Sequence, residues 1–176
     1  MVSSSSNFLK NKILAALSNA DLALLQPHLE PVELEVRKVL EEPNKPIMHS
    51  YFIERGLASI VAGNSHKRLE VGLIGSEGMT GLPIVLGNDR SPHENFIQVA
   101  GEGSRISANK LREAMQQSRS LERVFLGFAH SFMNQTAIPP SRTARPLLRS
   151  GWHAGCSWPM TVWTVTRYRS LMSFCH

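Results

Sequence analysis

The run Gly75-Ser76-Glu77-Gly78-Met79-Thr80-Gly81 is the stretch of this sequence best suited to hold a ligand. Its glycines leave backbone N–H groups open to close approach, and such groups can ring an anion such as a phosphate. A phosphate site also needs a guanidinium to pair with the charge and a carboxylate for a neighbouring hydroxyl. Arg90 and Glu77 are the nearby candidates, and they serve only if the intervening loop bends to bring them in. Glu94, a few residues on, would repel a phosphate. The structural reading of the same residues makes Gly78 and Gly81 chain-closing turns and leaves Glu77 solvated.

Catalytic and metal chemistry find little else to use. The seven histidines (28, 49, 66, 93, 130, 153 and 176) contain no H-x-H or H-x-x-x-H pair, so metal-dependent oxygenase chemistry on a β-roll is poorly supported. His130 lies among helix aromatics, where a packing role outweighs ligation. Residues 1–137 hold no cysteine, and Cys156 and Cys175 have no zinc spacing. No Ser/His/Asp constellation, P-loop or dinucleotide fingerprint is present. The expectation is a protein that is not an enzyme and holds no metal.

The elements that must position the glycine run follow from periodicity. Residues 11–17 and 20–29 carry apolar side chains at helical spacing, with Asp21 near a first turn where a carboxylate suits the helix dipole. From Pro31 the period drops to two: Val32-Glu33-Leu34-Glu35-Val36 alternates as a half-buried strand does. Further strands are expected at 47–54, 57–62, 69–74 and 96–100, with Gly56, Gly63-Asn64-Ser65 and Gly75 as turns. Ser107 suits the cap of a helix over 108–117, and Ser118 or Ser120 opens another, taken as 120–137. In that last helix Leu121, Phe125, Phe128 and Phe132 form one apolar stripe, which must lie on the roll, on a second chain, or on both. Pro139-Pro140 ends it.

Charge divides the chain unevenly. The net charge is +5 overall, yet residues 1–137 hold 14 Lys and Arg against 14 Asp and Glu. The whole excess is Arg142, Arg145, Arg149, Arg167 and Arg169, in a tail that has no acid but all three Trp and both Cys. Composition therefore breaks near Ala137. No apolar stretch approaches the roughly 20 residues of a membrane helix. Lys10 and Lys12 beside the first apolar segment, with no small-residue cleavage site after it, argue against a secretory signal and for the cytoplasm. Residues 1–8, with Ser3 to Ser6, read as disordered.

Helices, a β-roll with a glycine-rich elbow, then a long helix is an order that resembles the sensor domain of Crp/Fnr-type transcription regulators. Tyr51-Phe52-Ile53-Glu54-Arg55-Gly56 resembles the family's aromatic-Ile-x-x-Gly strand pair. The run from Val71 to Pro83 is similar to the elbow of one bacterial branch. The resemblance implies a jelly-roll-like, cyclic-nucleotide-binding-like sensor domain over 9–137. It implies that the helix of 120–137 is a dimerisation helix with Leu121, Phe125, Phe128 and Phe132 on its dimer face. Cyclic-nucleotide-binding members carry an Arg-Ser/Thr-Ala after the elbow, and here Ser91-Pro92-His93-Glu94-Asn95-Phe96 stands in the comparable region, without the Arg. Binding of cyclic AMP or cyclic GMP through Gly75, Glu77, Gly78, Met79, Thr80, Gly81 and Arg90 is thus possible but not favoured. The absence of cysteine from 1–137 excludes the family's iron–sulfur branch.

The family would continue past Ala137 into an ARWLL-type segment and a helix-turn-helix, and the tail reads otherwise. Moving the reading frame one base back fixes four codons, because Trp and Met each have one codon ending in G. These give alanine at His153 and Pro159 and aspartate at Thr161 and Thr164, which matches the family segment ARWLLMAHDRLDGD at all four places. The resemblance implies that residues 138–176 are a frameshifted, non-native tail, disordered, and that the DNA-binding half is lost. Weak homodimerisation, no specific DNA binding and no membrane contact follow. The alternative is a stand-alone cyclic-nucleotide-binding signalling module with a native basic tail.

Overall fold

A computed structural model describes residues 10–64 and 67–137, all within the first of the chain's two units, Met1–Pro139. The Ser-rich start and the basic tail with its Trp and Cys residues lie outside the described residues.

Two antiparallel sheets form the body. One has the order β1 (Glu30–Leu34), β7 (Gly101–Ser107), β3 (His49–Ile53). The other has the order β2 (Val39–Glu41), β6 (Glu94–Val99), β4 (Leu57–Asn64), β5 (Lys67–Ile74). The core is mainly apolar: Leu34, Phe52, Ile53, Ala58, Ile74, Met79, Ile97 and Ile106 are almost wholly buried. Each such aliphatic or aromatic side chain contributes about 2 kcal/mol relative to exposure. The expected mainly β class with flanking helices is the one observed.

β2 and β7 are strands that periodicity did not reveal. β7 lies between β1 and β3, pairing Val32 with Gly103 on one side and Ile53 with Gly103 on the other. Glycine is needed there because a Cβ at Gly101 would overlap the carbonyl of Arg55, and one at Gly103 the carbonyl of Phe52.

Helices close the ends of the roll. Asn11 caps α1 (Lys12–Ala15) by accepting from the N–H groups of Ile13 and Leu14. Its amide nitrogen donates at 2.8 Å to the carbonyls of Ile53 and Gly78, so one buried side chain joins helix, strand and elbow. Ser18 caps α2 (Asn19–Leu25), which runs on into a 3₁₀ turn, Gln26–His28. Ser107 caps α4 (Ala108–Gln117), and Ser118, rather than Ser120, caps α5 (Arg119–Thr136).

The apolar stripe of α5 turns inward. Leu121, Phe125, Phe128 and Phe132 are buried within a single chain, with the ring of Phe125 at 6.1 Å from that of Phe52. The four residues expected on a dimer face are core residues of this chain, because the roll already covers them. Leu126 and Met133 point the other way and are 40% and 47% exposed. His130 shares that outward face beside Asn134, at 3.3 Å, so it does not pack among the aromatics as its neighbours in sequence implied.

Candidate functional site

The elbow begins where β5 ends. The N–H of Gly75 donates to Glu77 Oε1 at 3.0 Å, and the N–H of Gly78 donates to the Gly75 carbonyl at 3.1 Å. Glu77 is therefore half-buried and closes its own turn, rather than standing solvated or reaching for a ligand. Met79, fully buried, bridges Phe52, while Thr80 and Tyr51 bond reciprocally: Thr80 N–H to the Tyr51 carbonyl at 2.9 Å, and Tyr51 N–H to Thr80 Oγ1 at 3.1 Å. At Gly81 the backbone is left-handed, with φ of 80°, and the short helix α3 (Leu82–Val85) follows. A side chain here would also overlap Ser50 Oγ, so glycine is required twice over.

The N–H of Gly81 donates at 2.8 Å to Glu41 Oε1, a residue the sequence did not single out. The same oxygen accepts from Asn95 Nδ2 at 3.1 Å. Glu41 and Asn95 face inward from the adjacent strands β2 and β6, and both are buried. Burial pushes the Glu41 carboxyl above the ordinary carboxylate range, against the pull of the Gly81 N–H and the Asn95 amide. Ser50 Oγ and Asn95 Oδ1 are buried in the same neighbourhood and have no hydrogen-bond partner. A cleft of about 380 Å³ lies alongside, lined by Glu41, Lys45, Met48 and His49 among others.

Of the anticipated site residues, the fold brings together Gly75, Glu77, Gly78, Met79, Thr80 and Gly81 in one elbow, whose N–H groups at 75, 78, 80 and 81 all meet acceptors of this chain. Arg90 stands apart from them in its bonding. Its guanidinium donates to the Asn44 carbonyl at 2.8 Å and pairs with Asp89 at 3.6 Å, both outside the elbow. Glu94 pairs with Arg68 at 2.9 Å. Four of the elbow's N–H groups are thus taken within the chain, the Arg90 guanidinium bonds elsewhere, and a carboxylate sits on the Gly81 N–H.

The space between elbow and α5 is filled as well. A Cβ on Gly78 would lie 2.7 Å from Phe128 Cζ, and one on Gly72 would lie 2.5 Å from Phe132 Cζ. The two rings, 6.2 Å apart, rest directly on glycine backbone. Among the described residues no group of three or more His, Cys, Asp or Glu is placed to hold a metal ion, and no helix is long and apolar enough to cross a membrane.

No family model matches the sequence, and no curated protein matches it. Solved structures do share its fold. The c-di-GMP-responsive global regulator CLP of Xanthomonas campestris is 20% identical, with a TM-score of 0.57 over 73% of this chain and 66% of its own. The sensor domain of the transcriptional regulator DNR from Pseudomonas aeruginosa is 14% identical, with a TM-score of 0.57 over 82% of this chain and 94% of its own. The regulatory domain of Toxoplasma gondii PKA, solved with cAMP, is 13% identical, with a TM-score of 0.58 over 72% of this chain and 48% of its own. This chain spans just under two thirds of CLP and nearly all of the DNR sensor domain. At these identities the likeness is one of fold, and the chain has the β-roll architecture of cyclic-nucleotide-binding regulators.

Proposed function

We propose that this chain is the sensor half of a Crp/Fnr-type transcription regulator, that it takes up neither cyclic AMP nor cyclic GMP, and that a one-base slip near Ala137 has removed its DNA-binding half. The observation that supports the reading is the elbow itself, four of whose N–H groups are bonded within the chain, that of Gly81 by the Glu41 carboxyl. A regulator's role needs no catalytic group, and we assign none. Iron–sulfur sensing is likewise outside this reading, since residues 1–137 lack cysteine. The place of action is the cytoplasm. Five tail arginines without a recognition helix would give salt-sensitive, sequence-blind contact with nucleic acid at most.

Weak homodimerisation is part of the proposal, and with the Phe stripe buried it falls to the outward face of α5, around Leu126, Gly127, His130 and Met133. Calorimetry of the full chain with cyclic AMP and cyclic GMP tests the ligand claim. Silence is the expected result; micromolar binding would overturn it and favour the stand-alone signalling module with a native basic tail. A sequence-specific footprint would overturn the loss of DNA reading, and the coding DNA read one base back from Ala137 tests the slip itself.

A further inference from the structure

Glu41 is an expensive residue to keep where it is. It is buried, it faces inward from β2, an edge strand, and it belongs to none of the ion pairs among the described residues. A buried carboxylate without a countercharge costs several kcal/mol in desolvation that neutral hydrogen bonds offset only in part. A glutamine would keep an oxygen for Gly81 without that cost. The groups turned toward the carboxylate are donors: the N–H of Gly81 at 2.8 Å and the amide of Asn95 at 3.1 Å. The hydroxyl of Ser50, fully buried beside Gly81, bonds neither Glu41 nor any other described group. Those groups come from three segments, the elbow, β6 and β3, which backbone pairing brings together: Glu41 faces Asn95 across the β2–β6 ladder, and the Phe52–Met79 bridge with the Thr80–Tyr51 bond sets β3 against the elbow.

We infer that Gly81 N–H and Asn95 Nδ2, with the free Ser50 hydroxyl beside Gly81, form an oxyanion cradle, and that Glu41, held by the first two, is its resident occupant, an internal substitute for a carboxylate or phosphate-bearing ligand. This rests on the reading of the elbow as a sensor site and deepens it. The roll is held in its anion-loaded arrangement by its own chain, so it needs no diffusible effector to reach that arrangement.

Withdrawing the occupant exposes the cradle. The full chain carrying Glu41→Ala, the chain carrying Glu41→Gln, and the wild type are melted at neutral pH in acetate, inorganic phosphate, or chloride of matched ionic strength. The expected result is a lowered Tm for Glu41→Ala that acetate or phosphate raises by about 4 °C or more, with wild type and Glu41→Gln indifferent to the anion. The stronger rescuer of the two identifies the ligand class. If Glu41→Ala folds only in acetate or phosphate, that too is the expected rescue. A Glu41→Ala variant that responds to these anions no more than to chloride, or folds in none of them, overturns the cradle. Cyclic nucleotide binding by the wild type overturns the effector-silent reading of the sensor instead, so the two failures are distinct.

Discussion

Asp21 accepts a hydrogen bond from Ser118 Oγ at 2.5 Å, joining α2 to the cap of α5 across 97 positions of sequence. Ser120 Oγ adds contacts at 2.8 and 2.9 Å and Ser18 Oγ one at 2.8 Å, so three hydroxyls surround one carboxylate that is only 4% exposed. Asp21→Ala is expected to destabilise the fold by about 2 kcal/mol, read from urea denaturation. The Ser118 hydrogen bond, with those of Ser18 and Ser120, holds the carboxyl below its ordinary range against the opposing effect of burial. A depressed folded value means that the stabilisation is full above the unfolded value and is lost as pH falls through the folded one. The acid limb of the stability curve should therefore flatten in Asp21→Ala.

Glu41 has the opposite sign. Its folded value is raised by burial, so the folded state holds the proton more tightly than the unfolded chain does, and stability falls as pH rises from the ordinary carboxylate range through the raised value. Above that value the loss is constant. Glu41→Gln should remove this slope and, at neutral pH, match or exceed the wild type in denaturant midpoint. A steeper slope in Glu41→Gln would contradict the assignment.

Asn11 should be hard to replace. Its side chain makes four hydrogen bonds, two given and two received, all in a buried setting. Asn11→Ala leaves the carbonyls of Ile53 and Gly78 short of a donor and uncaps α1. The expected cost is about 3 kcal/mol, checked by chemical denaturation; a cost below about 1 kcal/mol would contradict the burial of these groups.

Phe128→Ala is expected to cost about 3 kcal/mol through the cavity it opens, without changing the association state. Sedimentation together with thermal melting separates the two effects. A loss of dimer with unchanged stability would return the stripe to an interface.

Leu126→Glu and Met133→Glu should act the other way. Both side chains are exposed on the outward face of α5, so stability should move by less than about 0.5 kcal/mol while any self-association weakens. Sedimentation at rising concentration reads the difference.

Much of this architecture was legible in the residues. Ser107 announced its helix, and the start of the next was legible to within Ser118 or Ser120, because a hydroxyl before an apolar period has one common use. The elbow was legible from its glycines. β7 was not, because Gly-Glu-Gly-Ser-Arg-Ile-Ser has few β-forming side chains; its place in the sheet depends on two glycines that let neighbouring carbonyls come close. Glu41 was hidden for another reason: it is one of 14 acids, and nothing local marks the one whose partners, Gly81 and Asn95, lie 40 and 54 residues away. The direction of the Phe stripe was undecidable from spacing alone, since a roll and a second chain present similar apolar demand.

The contact of Phe128 and Phe132 with bare glycine has a steric consequence. The rings come so near Gly72 in β5 and Gly78 in the elbow that any larger residue at either place would meet one of them. The seat of the long helix on the roll is thus set by two residues that have no side chain of their own.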